Sequence, residues 1–349
     1  MRKASGSRLQ RAAGRLAHPP RLLNWLRARN DRQERPERMT ALPLGIDVEP
    51  TTRCNLRCRI CQRSEAGWPE LDMPVERFER VLEQMPQLEQ LKLQGIGEPL
   101  LHERLFDLVR LAVRRGLRVA TITNGTTLAR VDQQEAILAS GLEALRVSID
   151  GATPETHAHL RPGADLAQIL DDLRHLVERR RRARRPFLGI WCVGNVRNLA
   201  ELTALVDLAA GAGVDELVYQ ADMTGWGKAE WLARVANGQI DPEQAECAAR
   251  IAEARQRARE RGLAFVVYEG NRFSAARPCF WPWQSCFVSA GGYVTRCCIL
   301  SDPRLHHFGR IDEWDFASIW NAAEYRELRR AIRENHIPPL CRPCYGKPA

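Results

Sequence analysis

The chain has 349 residues, of which 44% are hydrophobic and 27% charged, enough apolar content for one or two buried cores. No run approaches the roughly 18 apolar residues of a membrane span, and the composition excludes collagen, coiled-coil and wholly disordered classes. The net charge of +9 sits at one end: residues 1–40 hold 11 Lys or Arg against 3 Asp or Glu, and the remainder is nearly balanced at 41 against 40.

That basic stretch (1–43) reads as a leader helix with a solvated face, with RNA or an acidic membrane surface as the functional alternatives. It lacks the apolar core of a secretory signal, so a cytoplasmic setting is expected. Gly45–Pro50 alternates apolar and acidic residues and reads as a first strand. Helix-like and strand-like segments then alternate: helix 74–85, strand 91–94, helix 102–115 stopped by Gly116, strand 117–123, helix 132–140, strand 144–149, helix 165–182, strand 187–193, helix 198–210 and strand 216–220. Such alternation predicts a parallel sheet with right-handed crossovers. Six units fall short of the eight of a closed barrel, so the expected fold is α/β, a partial (β/α)6 TIM-type barrel spanning 44–270. A charged helix over 241–262 and a strand-like 263–268 follow. The arginine-rich 179–185 reads as the solvated end of a helix. From Ala275 helical periodicity fades, and Cys, Trp, Pro and Gly crowd together, which sets off a small module over 271–349.

Eleven cysteines are many for a chain with no export signal, and in a reducing compartment clustered thiols point to metal or redox chemistry. Cys192 and Cys247 stand alone in apolar or helical surroundings and read as small buried hydrophobes. Cys54, Cys58 and Cys61 lie within eight residues, directly after the first strand. Three thiolates so placed can hold three irons of a 4Fe–4S cluster, leaving the fourth iron open to a chelating ligand. A zinc site would need a fourth ligand, for which His102 is the candidate.

Cys54-x3-Cys58-x2-Cys61, with Thr52-Arg53-Cys54-Asn55-Leu56-Arg57-Cys58 around it, resembles the signature of the radical S-adenosylmethionine (SAM) superfamily. Three further segments match that family in order. Gly95-Ile96-Gly97-Glu98-Pro99 resembles its Gly-Gly-Glu element with the first glycine displaced by one. Thr123-Asn124-Gly125 resembles its Thr-Asn-Gly turn. Ser148-Ile149-Asp150-Gly151 with Arg161 resembles its Ser-x-Asp-Gly…Arg pattern. The resemblance implies that Gly97, Glu98, Asn124, Ser148, Asp150 and Arg161 contact SAM, with Glu98 meeting the methionyl ammonium and Arg161 the carboxylate. Ile60 stands where the family usually places an aromatic residue against adenine. The tail resembles the SPASM/twitch extension. This implies one auxiliary 4Fe–4S cluster held by Cys279, Cys297, Cys341 and Cys344, with Cys286 able to replace Cys279 and Cys298 able to replace Cys297.

What the resemblance implies is reductive cleavage of SAM to a 5′-deoxyadenosyl radical and abstraction of a substrate hydrogen. The outcome expected is oxidation or epimerisation of a small polyhydroxylated molecule or a peptide, with Cys286 and Cys298 as candidate hydrogen donors. Cross-linking by a peptide maturase is the alternative outcome. A flavodoxin- or ferredoxin-type electron donor is implied, and no nucleic-acid partner. From another class, a zinc-binding nucleic-acid module using the basic arm is the competing reading.

Overall fold

The computed structural model describes residues 18–65, 67–180, 185–223, 225–268 and 272–345. Residues 1–17 of the basic stretch and residues 181–184 of the arginine run therefore lie outside the described residues. The sheet is built from β1 (Gly45–Val48), β2 (Gln90–Leu93), β3 (Arg118–Thr123), β4 (Ala144–Ser148), β5 (Phe187–Val193), β6 (Glu216–Gln220) and β7 (Ala264–Tyr268), each parallel to the next. The strand-like 263–268 thus extends the expected six strands by a seventh. A hairpin of β8 (Phe287–Val288) and β9 (Val294–Thr295) continues the sheet beyond β1, giving the order β7-β6-β5-β4-β3-β2-β1-β8-β9. The sheet stays open, an α/β partial barrel with a C-terminal module on its β1 edge.

The connecting helices follow from apolar spacing. α2 (Val75–Gln84) buries Phe78, Val81 and Leu82, and α3 (Leu105–Arg114) buries Leu105, Leu108, Val109 and Ala112 before Gly116 ends it at φ 77°. α4 spans Val131–Ala139. They cover outward strand residues such as Ile46, Val48, Leu91, Leu93, Leu145 and Val147, all essentially inaccessible. Each such side chain contributes about 1.5–3 kcal/mol of burial. On the inner side Arg146 of β4 pairs with Glu216 of β6, both buried, across the bottom of the sheet.

α5 (Pro154–Leu160) was not evident from periodicity, yet its start is written locally: Thr153 caps the Thr156 N–H and Pro154 occupies the first turn. α6 (Leu166–Arg180) follows. Its last arginines are not simply solvated, because Arg179 pairs with Glu135 and Arg180 with Asp215. The expected helix 198–210 is two helices, α7 (Val196–Leu199) and α8 (Leu202–Ala212). Asn195 and Asn198 cap each other at the start of α7, and the Asn198 amide donates to Asp150 O (2.8 Å) and Val193 O (2.9 Å), tying together the ends of β4 and β5. α9 (Ala229–Ala236) and α10 (Ala245–Glu260) complete the core.

Helical order is not lost in the tail, contrary to the sequence reading. After the short α11 (Trp281–Gln284), α12 (Phe316–Trp320) and α13 (Ala323–Arg333) form, with Phe316, Ile319, Tyr325, Leu328 and Ile332 buried. These helices clasp the start of the chain. α1 (Pro19–Glu34) packs beside α11, and the segment after it is held by side chains of the tail. The Trp283 indole donates to Pro36 O (2.9 Å), Trp320 to Ala41 O (3.1 Å), and the Asn321 side chain accepts from Met39 N–H (2.8 Å). Arg329, wholly buried and layered on Trp320 and Tyr325, donates to Pro282 O (2.7 Å) and Glu37 O (3.0 Å). Among the described residues no helix is long and apolar enough to cross a membrane.

Arg329 therefore holds two distant backbone carbonyls with one charge. Arg329→Ala is expected to cost about 3–5 kcal/mol and to open the 36–41 segment to limited proteolysis. Unchanged melting and digestion patterns would refute the clasp.

Candidate active site

The site forms where the strands end. After β1 the chain runs through Glu49-Pro50-Thr51-Thr52-Arg53 into the three-cysteine loop. The loop after β2 lies directly on it. A Cβ at Gly95 would sit 2.3 Å from Glu49 Cγ, and one at Gly97 would sit 2.2 Å from Thr51 O and 2.7 Å from Arg53 O. Only glycine lets the two loops touch. The Glu98 N–H then donates to Arg53 O at 2.7 Å. Glu49, 3% exposed, fastens the stack: its carboxylate accepts from Ile96 N–H (3.0 Å) and, on its other oxygen, from Ala290 N–H (3.1 Å) of the C-terminal hairpin. Burial pushes its pKa up to about 7, against the pull of those two donors.

Cys54, Cys58 and Cys61 line one cavity of about 270 Å³ together with Ile60, Gly97, Glu98, Asn124, Ser148 and Arg161. Glu98 is fixed by three donors: Thr123 Oγ1 (2.7 Å), Asn124 N–H (2.6 Å) and Leu100 N–H (3.0 Å). Burial still raises its pKa, and a cation beside it would oppose that shift and restore the carboxylate. The Asn124 amide donates to Asn55 Oδ1 (2.9 Å) and reaches Cys54 Sγ at 4.0 Å. Arg161 ends α5, with Nη1 at 3.9 Å from Cys58 Sγ. Burial works against its charge, but the Asp150 carboxylate, bound to Nε at 2.7 Å, and Cys58 hold it firmly protonated. Asp150 does not reach the cavity wall. It lies fully buried behind Arg161, and its second oxygen accepts from Val193 N–H at 2.8 Å. It positions the arginine.

A second cavity, of about 590 Å³, is lined by Cys279, Cys297, Cys341 and Cys344. Cys341 and Cys344 come from a short 3-10 turn, Pro339–Cys344, and Arg296 Nη1 lies 3.7 Å from Cys341 Sγ. The Cys279 N–H donates to the Tyr345 hydroxyl at 2.8 Å. Burial first, then mutual proximity, pushes the Cys297 and Cys344 thiols up to about 12, and Cys61 in the first group likewise. Thiols so placed lose their protons only to a compensating cation. Among the described residues no three His, Cys, Asp or Glu side chains form a group able to hold a single ion. A zinc ion needs all its sulfurs about 2.3 Å from one point. Thiols spread around a cavity suit a cluster, whose irons are separate. His102 is no fourth ligand either: its Nε2 meets Met73 O (3.1 Å) and its Nδ1 accepts from Arg104 N–H (3.1 Å).

The model of the radical SAM superfamily matches residues 48–209, which carry the first thiol group and most of the residues lining its cavity. The chain belongs to that superfamily. The model of an iron–sulfur cluster-binding domain, SPASM, matches residues 279–345, so this radical SAM protein carries a C-terminal SPASM domain. It is 31% identical over 312 residues to an AdoMet-dependent heme synthase of Methanosarcina barkeri, covering 83% of this chain and 86% of that one. It is 29% identical to a PqqA peptide cyclase of Rhodopseudomonas palustris, over 83% and 74% of the two chains. Among solved structures, Streptococcus suis SuiB bound to its precursor peptide SuiA superposes with a TM-score of 0.67 at 14% identity, over 94% of this chain and 76% of that one.

In this radical SAM protein the residues expected around the first cluster converge on one cavity, save Asp150. Cys298 lines that same cavity, whereas its neighbour Cys297 faces the other. Cys286 lines neither; it is buried in the core. Sequence reasoning missed Gln94, Trp191, Val193, Gln220, Met223, Trp226, Phe287 and Ile299, which complete the wall. Gln94, Val193 and Gln220 had a signal, since each ends or follows a parallel strand.

Glu49 loses its proton near 4.5 in an unfolded chain and near 7 in the fold, so the folded state binds more protons between those values. Stability is expected to fall by about 2–3 kcal/mol as pH rises through that window. Glu49→Gln should flatten this slope in thermal melts taken from about pH 5 to about pH 8. An identical slope in the variant would assign it to another group.

Proposed function

We propose that the protein oxidises or epimerises a substrate held between its two cysteine-lined cavities. The observation that carries this reading is their common wall: Met223, Trp226 and Ile299 border both. When bound, a reduced 4Fe–4S cluster with SAM supplies a 5′-deoxyadenosyl radical, and a fully ligated second cluster supplies a place for the substrate's electron. Cys54, Cys58 and Cys61 hold the first, and Cys279, Cys297, Cys341 and Cys344 the second. Glu98 receives the methionyl ammonium and Arg161 the carboxylate, with Ser148, Asn124 and the bare backbone of Gly97 completing the cradle. Of the two proposed hydrogen donors, Cys298 is the one placed at the cavity wall. A flavodoxin- or ferredoxin-type donor provides the electrons, in a cytoplasmic setting.

The lining favours one substrate class over another. Trp191, Val193, Met223, Trp226, Phe273, Trp281, Ile299, Leu300 and Leu340 give largely apolar and aromatic walls. Polar side chains such as Gln94, Gln220 and Asp222 interrupt these walls, but apolar surface predominates, so a polyhydroxylated molecule would bury hydroxyls against it at a cost. An apolar peptide side chain fits, in keeping with the peptide cyclases among the relatives. The 31% identity to a heme synthase favours a tetrapyrrole as a second reading. Co-purification or titration separates them, since only a tetrapyrrole brings an intense visible absorption of its own.

Anaerobically purified protein is expected to hold about eight irons per chain. About four, with stoichiometric zinc, would remove the second cluster from the scheme. Cys341→Ala should still form 5′-deoxyadenosine from SAM under a strong reductant while losing the substrate-derived product. An insoluble variant would instead make the second cluster a brace for the fold, and unchanged product would exclude both roles.

A further inference from the structure

The SAM-facing cavity is divided by chemistry. Glu98, Asn124, Ser148 and Arg161 make one side polar and charged, whereas Ile60, Val193, Met223 and Trp226 pack together as an apolar cluster on another. A zwitterionic amino acid moiety belongs with the first set, and a flat purine belongs with the second. The residue before the third cysteine, Ile60, offers that purine no ring. Of the two tryptophans that line the cavity, Trp191 and Trp226, it is Trp226, from the loop after β6, whose indole bonds the backbone of Ile60.

Building on the radical SAM assignment, we propose that Trp226 provides the aromatic face on which the adenine of SAM stacks. Its indole N–H donates to Ile60 O at 3.3 Å, which pins the ring over the third-cysteine loop. Its backbone is left-handed, at φ 54°, between two glycines. A Cβ at Gly225 would meet Leu232 Cγ at 2.3 Å, and one at Gly227 would meet Leu300 Cδ2 at 2.3 Å, so the tryptophan rides on a loop wedged between α9 and the SPASM domain. Beside it Lys228 anchors the loop, with Nζ 2.7 Å from Glu65 Oε2 and 3.3 Å from Asp302 Oδ2. The Trp231 indole donates to Glu65 as well. A non-glycine residue at positive φ is strained and persists only where its surroundings over-determine it. Here these anchors impose it, and the result is a ring held half-buried at the apolar end of the cavity.

The test is SAM affinity, measured by equilibrium dialysis on the anaerobic, iron-loaded enzyme. Trp226→Leu is expected to weaken SAM binding by about 5- to 100-fold and Trp226→Phe by less than about threefold. Free methionine, which has no adenine, should bind both variants as it binds the wild type. Equal SAM affinity in Trp226→Leu and wild type overturns the proposal, as does a change confined to the substrate's KM. Neither result touches the family assignment, which fails only if the wild type itself does not bind SAM. Should Trp226→Leu be insoluble, Trp226→Phe carries the test by fluorescence. It should bind SAM with a smaller quench of indole emission, and a quench of unchanged amplitude overturns the proposal.

Discussion

The site depends on one close approach of backbone to backbone. Gly95 and Gly97 allow the loop after β2 to lie on the loop after β1, and the Glu98 N–H to Arg53 O hydrogen bond closes the contact. Everything that the first cysteine group needs is then fixed at once. Glu98 is aimed into the cavity, the cysteine loop has a floor, and Glu49 beneath it reaches sideways to Ala290. A methyl group at either glycine would have to displace a buried carboxylate stem or a peptide carbonyl. The adjustment would be felt at Cys54, only one residue beyond Arg53.

The same carboxylate makes the SPASM domain part of the barrel. β8 pairs with β1, Ala290 donates to Glu49, and Arg77 of α2 reaches Ala290 O and Asp312 from the other side. The two thiol groups therefore stand on one continuous scaffold. Adjacent residues, Cys297 and Cys298, face opposite cavities, so a displacement of this short stretch reaches both rooms together.

The sequence made the beginning of this picture legible because its signals are local. Strand-helix alternation fixed the order of β1–β6, and the motifs at 54–61, 95–99, 123–125 and 148–151 fell at strand ends, where a parallel sheet gathers chemistry. Three kinds of residue escaped. Asp150 sits in a motif, but its task, holding Arg161 from behind, depends on α5 turning back over β4. Met223, Trp226 and Ile299 carry no motif, and they become a wall only because the β6 loop meets the SPASM domain. The helices α12 and α13 were obscured by the Cys, Trp and Pro residues just before them, although Tyr325, Leu328 and Ile332 keep helical spacing. Composition describes a region by its average, and packing is decided residue by residue.

The clasp between the two ends of the chain has a consequence for how the molecule is made. Pro36, Glu37, Met39 and Ala41 find their partners at Trp283, Arg329, Asn321 and Trp320, between 247 and 292 residues further on. On a ribosome those partners do not yet exist while the barrel strands emerge. Residues 36–41 must wait, with their backbone groups in water, until the last helix has been synthesised. The three-cysteine loop, only some twenty residues further along, belongs to the part completed first. Closure of the N-terminal segment is thus the molecule's own report that the chain as far as Arg329, with the helices of the SPASM domain, is in place.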